Sequence, residues 1–180
     1  PPRYIERQVM SYGQGNVVHL YVREGSVQRR FQKIIDESPA TALDSTLRDQ
    51  ICNAAVTLAA KAQYRNAGTV EFILALDGQF YFLEMNTRLQ VEHPVTEIVC
   101  QVDLVAAQLN VAAGAGLPWQ QTAIKQTGHA IECRICGEEP DNDFRPATGS
   151  ARVLRVPDGG SVRFDSGLAE GQAITAAFDS

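Results

Sequence analysis

The stretch TVEFILALDGQFYFLEMNTRLQVEH, residues 69–93, decides how this chain folds. Two runs rich in β-branched and aromatic residues flank Asp77-Gly78, a dipeptide suited to a two-residue type I′ turn. With Asp77 and Gly78 as the loop, Leu76 faces Gln79, and the ladder carried inward sets Glu71 opposite Glu84. Directly opposed residues share a face of the sheet, so two carboxylates meet there. Ionised, they repel. A solvated face can tolerate the pair or keep one group protonated, or a divalent cation can hold both. Polar residues continue at every second position with Asn86, Arg88, Gln90 and Glu92. Read as a strand and its extension, this row supplies an amide oxygen beside the carboxylates, then a guanidinium fork suited to carboxylate, bicarbonate or phosphate, then a candidate general base. Metal ligands, an anion clamp and a base on one face form a site lining.

Working outward, YIERQVM and NVVHLYVRE read as strands of a hairpin turning at Gly13 and Gly15. GSVQRRFQKIIDESPA, residues 25–40, is polar and expected to be irregular up to Pro39. A helix is predicted from Asp44, with Asp44 or Ser45 as its cap. Leu47, Ile51, Ala54, Ala55, Leu58, Ala59 and Ala62 recur at helical spacing, and Asn66 and Gly68 end the unit. After His93-Pro94 a helical pattern resumes; Asp103 can cap DLVAAQLNVAAG, and Gly114 to Gly116 with Pro118 stop it. Residues 114–128 read as a connector. HAIECRI, SARVLRV, SVRFDSG and QAITAAF, punctuated by Gly and Pro, predict a small antiparallel sheet. The fold class is α+β, with helices packed on an antiparallel sheet.

The 180 residues are 44% hydrophobic and 21% charged, as in an ordinary globular domain. No apolar run reaches the roughly 20 residues needed to cross a bilayer, so no membrane partner is expected. A net charge of −5 with interspersed signs argues against a nucleic-acid face. The basic run RRFQK, residues 29–33, is either a solvated loop or an anion-binding element. Cys52 and Cys100 sit in helical patterns and read as small core residues. Cys133 and Cys136 have C-x-x-C spacing, but on a strand positions three apart point to opposite faces, so they are expected to be free buried thiols and the location cytoplasmic. The chain lacks an initiator Met and ends in a strand-like run, so it is expected to be a piece of a longer polypeptide.

FLEMNTRLQVEHPVTE resembles the signature of the biotin carboxylase family, whose ATP-grasp fold also serves carbamoyl phosphate synthetases. SVQRRFQKIIDESPA, NAGTVEF and GHAIECRI resemble other blocks of that family in the same order. The likeness runs over essentially the whole chain. It implies that residues 1–118 are the C-terminal half of an ATP-grasp domain and that 129–180 open the biotin carboxylase C-terminal domain. The implied reaction is ATP- and bicarbonate-dependent carboxylation of biotin through carboxyphosphate. Glu71 and Glu84, assisted by Asn86, would ligate Mg²⁺ (or Mn²⁺) and so bind ATP, with Gln28, Tyr4 and Phe31 near the nucleotide. Lys33, Arg88, Gln90 and the backbone of Val91 would hold bicarbonate. Glu92 would take the bicarbonate proton, and Arg134 would stabilise the biotin enolate. Lys33 also has a plain reading as a solvated lysine, and Arg134 as half of an ion pair with Glu132.

The chain departs from the family pattern at Tyr4 and Phe31, where His is frequent, and at Gly25, where Cys is common. Phe31 has no hydrogen-bonding side-chain atom, so a polar contact from that position is lost. His93 before Pro94 reads as structural, and His19 and His129 carry no separate signal. The Gly-rich loop over ATP and a biotinylation site are not in this sequence. The isolated chain is therefore expected to be inactive. The implied partners are a carboxyltransferase component, a second copy in a homodimer, and a biotin carboxyl carrier domain or subunit. The final acceptor could be acetyl-CoA, propionyl-CoA, another acyl-CoA, pyruvate or urea. Two alternatives stay open: another ATP-grasp ligase such as a carbamoyl phosphate synthetase relative, and a non-catalytic assembly remnant.

Overall fold

A computed structural model describes residues 1–157 and 159–175. Contacts divide the chain into two units, Pro1–Cys133 and Arg134–Ser180. The first holds a six-stranded sheet in the order β5-β4-β1-β2-β3-β6. Its strands are β1 Arg3–Gly13, β2 Asn16–Arg29, β3 Gln32–Ser38, β4 Asn66–Leu74, β5 Phe80–Asn86 and β6 Ala130–Cys133, and every neighbouring pair is antiparallel. Three helices accompany it: α1 Ser45–Lys61, α2 His93–Cys100 and α3 Leu104–Ala112. This is the α+β arrangement that the sequence predicts.

Alternation along the strands sends side chains to two cores. Ile5, Val9, Val22, Val70 and Phe72 pack with Ile51, Ala55 and Ala59 of α1. Met10 and Leu20 pack with Val95 and Val99 of α2 and with Leu104, Ala107 and Val111 of α3. The predicted caps form: Asp44 accepts from the Leu47 amide at 2.8 Å, and Asp103 from the Ala106 amide at 2.8 Å. Each satisfies a backbone donor that the first helical turn leaves open. On the face that carries Met10 and meets α2 lies a buried polar band, Glu6, Gln8, Arg23, Thr69 and Glu71, each 0–1% exposed.

The central hairpin reaches the expected carboxylate pairing by a different route. The loop spans residues 75–79, closed by Gly78 N–H to Ala75 O at 3.1 Å and Ala75 N–H to Gln79 O at 2.8 Å. Only Gly78 there has a positive φ, +82°, so the turn is not type I′ and Leu76 does not pair with Gln79. Near the turn the register is Leu74 to Phe80 and Phe72 to Phe82. A bulge then absorbs Leu83, and Glu71 pairs with Glu84. The longer loop and the extra residue cancel.

Residues 25–40 are not irregular. They complete β2 and form β3, joined by a two-residue turn in which Arg30 (φ 51°) and Phe31 (φ 64°) are left-handed. Turn chemistry there is hidden, because neither residue is a usual choice for positive φ. Strand β5 also ends earlier than the alternation suggests: residues 87–92 are loop and turn leading into α2.

β6 pairs with β3 through Cys133, so the first unit runs past the expected start of the second domain at 129. Cys136 lies beyond the strand, and the opposite-face argument does not reach it; all four cysteines are free, and Cys52 and Cys100 are buried, but Cys133 on the edge strand β6 is exposed and Cys136 half-buried, against the expectation that both are buried. Burial pushes the Cys100 thiol up to about 12. The second unit contains two short ladders, β7 Glu138–Glu139 with β8 Arg145–Pro146, and β9 Gly149–Ser150 with β10 Ala173–Ile174. Among the described residues, SARVLRV adds no strand beyond Ser150 and SVRFDSG forms none. Val153 and Val162 are exposed, and so short a unit cannot bury both sides of an alternating strand. The last part of QAITAAF, residues 176–178, lies outside the described residues.

Candidate active site

Lys33 is the hub of the site. The tight turn at Arg30-Phe31 sets it opposite Gln28 on β2, with its side chain over the buried polar band. Its ammonium donates to Glu71 Oε1 at 3.0 Å and to Glu92 Oε1 at 2.7 Å, and it forms an ion pair with Glu6. The ammonium also lies 5.3 Å from the centroid of the Tyr4 ring. One cation thus draws together β1, β4 and the turn before α2. Carboxylate oxygens of Glu6, Asp36 and Glu92, all buried, lie within 4.8 Å of one another.

Glu71 is the second centre. It is 1% exposed and accepts at Oε1 from Lys33, from Asn86 Nδ2 at 2.9 Å and from Gln90 Nε2 at 3.0 Å, while Tyr4 donates its hydroxyl to Oε2. Asn86 Nδ2 also donates to Glu84 Oε1 at 3.1 Å, so the two opposed carboxylates share one amide. Burial, with the Glu84 and Glu92 charges added, raises the Glu71 carboxyl to about 7 against the pull of Gln90. Glu92 behaves oppositely: burial pushes it up, but Lys33 and Arg23 outweigh that and hold it below the usual carboxylate range. Lys33 and Arg23 thus favour the ionised form of the Glu92 carboxyl.

Glu71 and Glu84 face one another as hard oxygen donors, and a divalent cation would hold the Glu71 carboxylate ionised despite its burial. Rotating the Asn86 amide would offer its oxygen as a third ligand. The residues fit Mg²⁺ on these grounds. Lys33 and Gln90 present N–H donors that an oxyanion can use.

The structure thus brings Tyr4, Lys33, Glu71, Glu84, Asn86, Gln90 and Glu92 into one hydrogen-bonded cluster. Arg88 is exposed and donates to its neighbour's carbonyl, Leu89 O, at 3.2 Å; Val91 is also exposed. Gln28 donates to Gly25 O at 2.8 Å, and Phe31 stands fully exposed at the hairpin tip. Arg134 is the first residue of the second unit and is half-buried. His93 is structural as expected, its ring Nδ1 2.8 Å from Gln90 O.

Sequence reading missed Glu6 and Arg23. A signal was available. The same counting that was applied to residues 71–84, started from a Gln14-Gly15 loop, sets Glu6 opposite Arg23, and these two do pair.

Comparison with known proteins places the chain among relatives of known type. Residues 1–120 match the carbamoyl-phosphate synthase L chain ATP binding domain, and residues 132–180 match the biotin carboxylase C-terminal domain. The chain is 50% identical over 179 residues to the biotin carboxylase of Nostoc sp., covering 99% of this chain and 40% of that protein. It is 47% identical over 186 residues to the pyruvate carboxylase of Bacillus subtilis, covering 99% of this chain and 16% of that protein. The biotin carboxylase domain dimer of Hydrogenobacter thermophilus 2-oxoglutarate carboxylase, solved with MgADP, ADP and bicarbonate, superposes with a TM-score of 0.95 at 42% identity, covering 99% of this chain and 40% of that one. The chain spans two fifths or less of the length of these relatives.

Proposed function

From its membership of the biotin carboxylase family, to which this chain belongs, we propose that it is part of an enzyme that uses ATP and bicarbonate to carboxylate biotin on a carrier protein. The observation that carries the reading is the Lys33 cluster, in which one ammonium joins an ionised Glu92, the Glu71 carboxylate and Glu6 beside the Gln90 amide. In this reading Mg²⁺ held by Glu71, Glu84 and Asn86 supplies charge neutralisation at the ATP phosphates. Lys33 and Gln90 orient bicarbonate by donating to its oxygens, with Arg88 and the backbone of Val91 closing on it from the exposed loop. Glu92 takes the bicarbonate proton as its oxygen attacks the γ-phosphate, and Lys33 compensates the negative charge that gathers there. Arg134 serves the biotin enolate, and Gln28, Tyr4 and Phe31 flank the nucleotide.

Residues 1–118 act as the second half of an ATP-grasp domain and 129–180 as the opening of the C-terminal domain. Partners are a biotin carboxyl carrier, a carboxyltransferase component and a second copy of the chain; cellular location is cytoplasmic. The 180-residue chain by itself does not turn over, since the upstream part of the nucleotide cleft is outside it. The match of residues 132–180 favours this reading over a carbamoyl phosphate synthetase relative. The test is ATP hydrolysis by the longer protein that contains this chain, with free biotin, with and without bicarbonate. Biotin-stimulated turnover that disappears without bicarbonate supports the proposal; turnover indifferent to both points to a different ligase, and no turnover from folded protein points to an assembly remnant.

A further inference from the structure

Arg23 is fully buried and makes the densest set of side-chain bonds in the molecule's polar band. Its Nε donates to Glu6 Oε2 at 3.0 Å. Nη1 donates to Gln8 Oε1 at 2.9 Å and to Thr96 Oγ1 at 2.9 Å, and Nη2 to Thr69 Oγ1 at 3.3 Å and Gln90 Oε1 at 3.2 Å. A guanidinium has five N–H donors in a rigid fork, and each has an acceptor here. The acceptors come from β1, β4, the loop before α2, and α2 itself.

Two of these bonds reach the site through other residues. Arg23 occupies the Gln90 carboxamide oxygen, which leaves the amide nitrogen as the group that faces Glu71 at 3.0 Å. An amide can rotate to show either end, and Arg23 removes that choice. Arg23 likewise holds one Glu6 oxygen while the other pairs with Lys33. The guanidinium therefore fixes which atom of Gln90 is shown to the site and where the Lys33 ammonium sits.

Resting on the bicarbonate reading above, we infer that Arg23 is the positioning residue of the oxyanion subsite: by holding Gln90 and Glu6 it makes the Gln90–Lys33 side of the site a surface of N–H donors. Arg23 is 0% exposed and acts through the side chains it holds. Arg23→Lys keeps the charge but offers three N–H donors in place of the five of the planar fork, so it cannot serve Glu6, Gln8, Thr69, Gln90 and Thr96 together.

The test uses the longer protein containing this chain and measures KM for bicarbonate and for ATP separately, beside thermal stability. Arg23→Lys is expected to raise the bicarbonate KM about 10- to 100-fold, the range typical of residues that orient a ligand's direct contacts, with the ATP KM within about threefold. Thr96→Val leaves Arg23 in place and removes one Nη1 acceptor. It is expected to raise the bicarbonate KM by about 3- to 10-fold with little change for ATP. Where Arg23→Lys fails to fold, Thr96→Val decides. Equal shifts in both KM values, or a fall in kcat and melting temperature alone, overturn the proposal and leave Arg23 a structural residue. Wild-type protein without bicarbonate-dependent turnover refutes the functional reading itself, and this inference with it.

Discussion

Replacing Arg7 by Met should stabilise the protein. Arg7 lies on β1 between Ile5 and Val9, whose side chains pack against α1. It is 0% exposed, and its three guanidinium nitrogens meet no hydrogen-bond partner among the described residues. The Tyr21 ring, with its centroid 6.0 Å away, supplies a weak cation–π contact worth about 1 kcal/mol. Burial lowers the guanidinium from 12.5 to about 10; Cys52 and Cys100 act against that shift, and Arg48 adds to it. At 1.36 kcal/mol per unit, such a shift corresponds to a penalty of about 3 kcal/mol on the charged form. Met follows the same unbranched path and needs no acceptor. Subtracting the aromatic contact leaves a gain of about 2 kcal/mol. In urea, with a slope of about 1–3 kcal/mol per molar, the midpoint of the unfolding transition should rise by about 1 M. A midpoint that falls by an equivalent of more than about 1 kcal/mol would refute the reasoning, since it would mean that the guanidinium has an acceptor whose loss outweighs its desolvation.

Three further outcomes are expected. On the proposed reading, Glu92→Gln in the longer protein that contains this chain should cut bicarbonate-dependent ATP hydrolysis by about 10²- to 10⁴-fold with ATP binding retained, because an amide is no base; steady-state kinetics beside nucleotide binding checks this. Glu71, raised to about 7, binds its proton below that pH and gives it up above. Without metal, its contribution to stability is full below the ordinary carboxylate pKa of 4.5 and is lost as pH rises through about 7; added Mg²⁺ should therefore raise the melting temperature more at pH 8 than at pH 6, and an equal rise at both would contradict it. Asp44→Ala removes the α1 cap to the Leu47 amide and should cost about 1 kcal/mol in chemical denaturation.

What could be read from sequence was whatever depends on local pattern. The α1 cap at Asp44 and the α3 cap at Asp103 are written in single residues, whereas the β4–β5 carboxylate pair was reached from the wrong turn, because the longer loop and the Leu83 bulge offset one another. The β2–β3 hairpin was hidden because its turn forces Arg30 and Phe31 into positive φ, a choice that only the surrounding ladder can enforce. Arg88 breaks the one-face rule because β5 ends at Asn86, after which loop geometry and not pleating decides where side chains point. The deepest omission was Arg23. A buried arginine looks like a surface arginine in sequence, and only its four acceptor-bearing elements, distant along the chain, distinguish the two.

The bulge at Leu83 has a practical side for protein engineering. It separates the β4–β5 ladder into a distal part that belongs to the turn and a proximal part that carries Glu71 and Glu84. Leu76, 85% exposed at the tip, and its neighbour Asp77 can host an inserted tag or fluorophore on the far side of that joint. Changes in loop length at 75–79 are then taken up in solvent, and the spacing of the two carboxylates is left to the strands that set it.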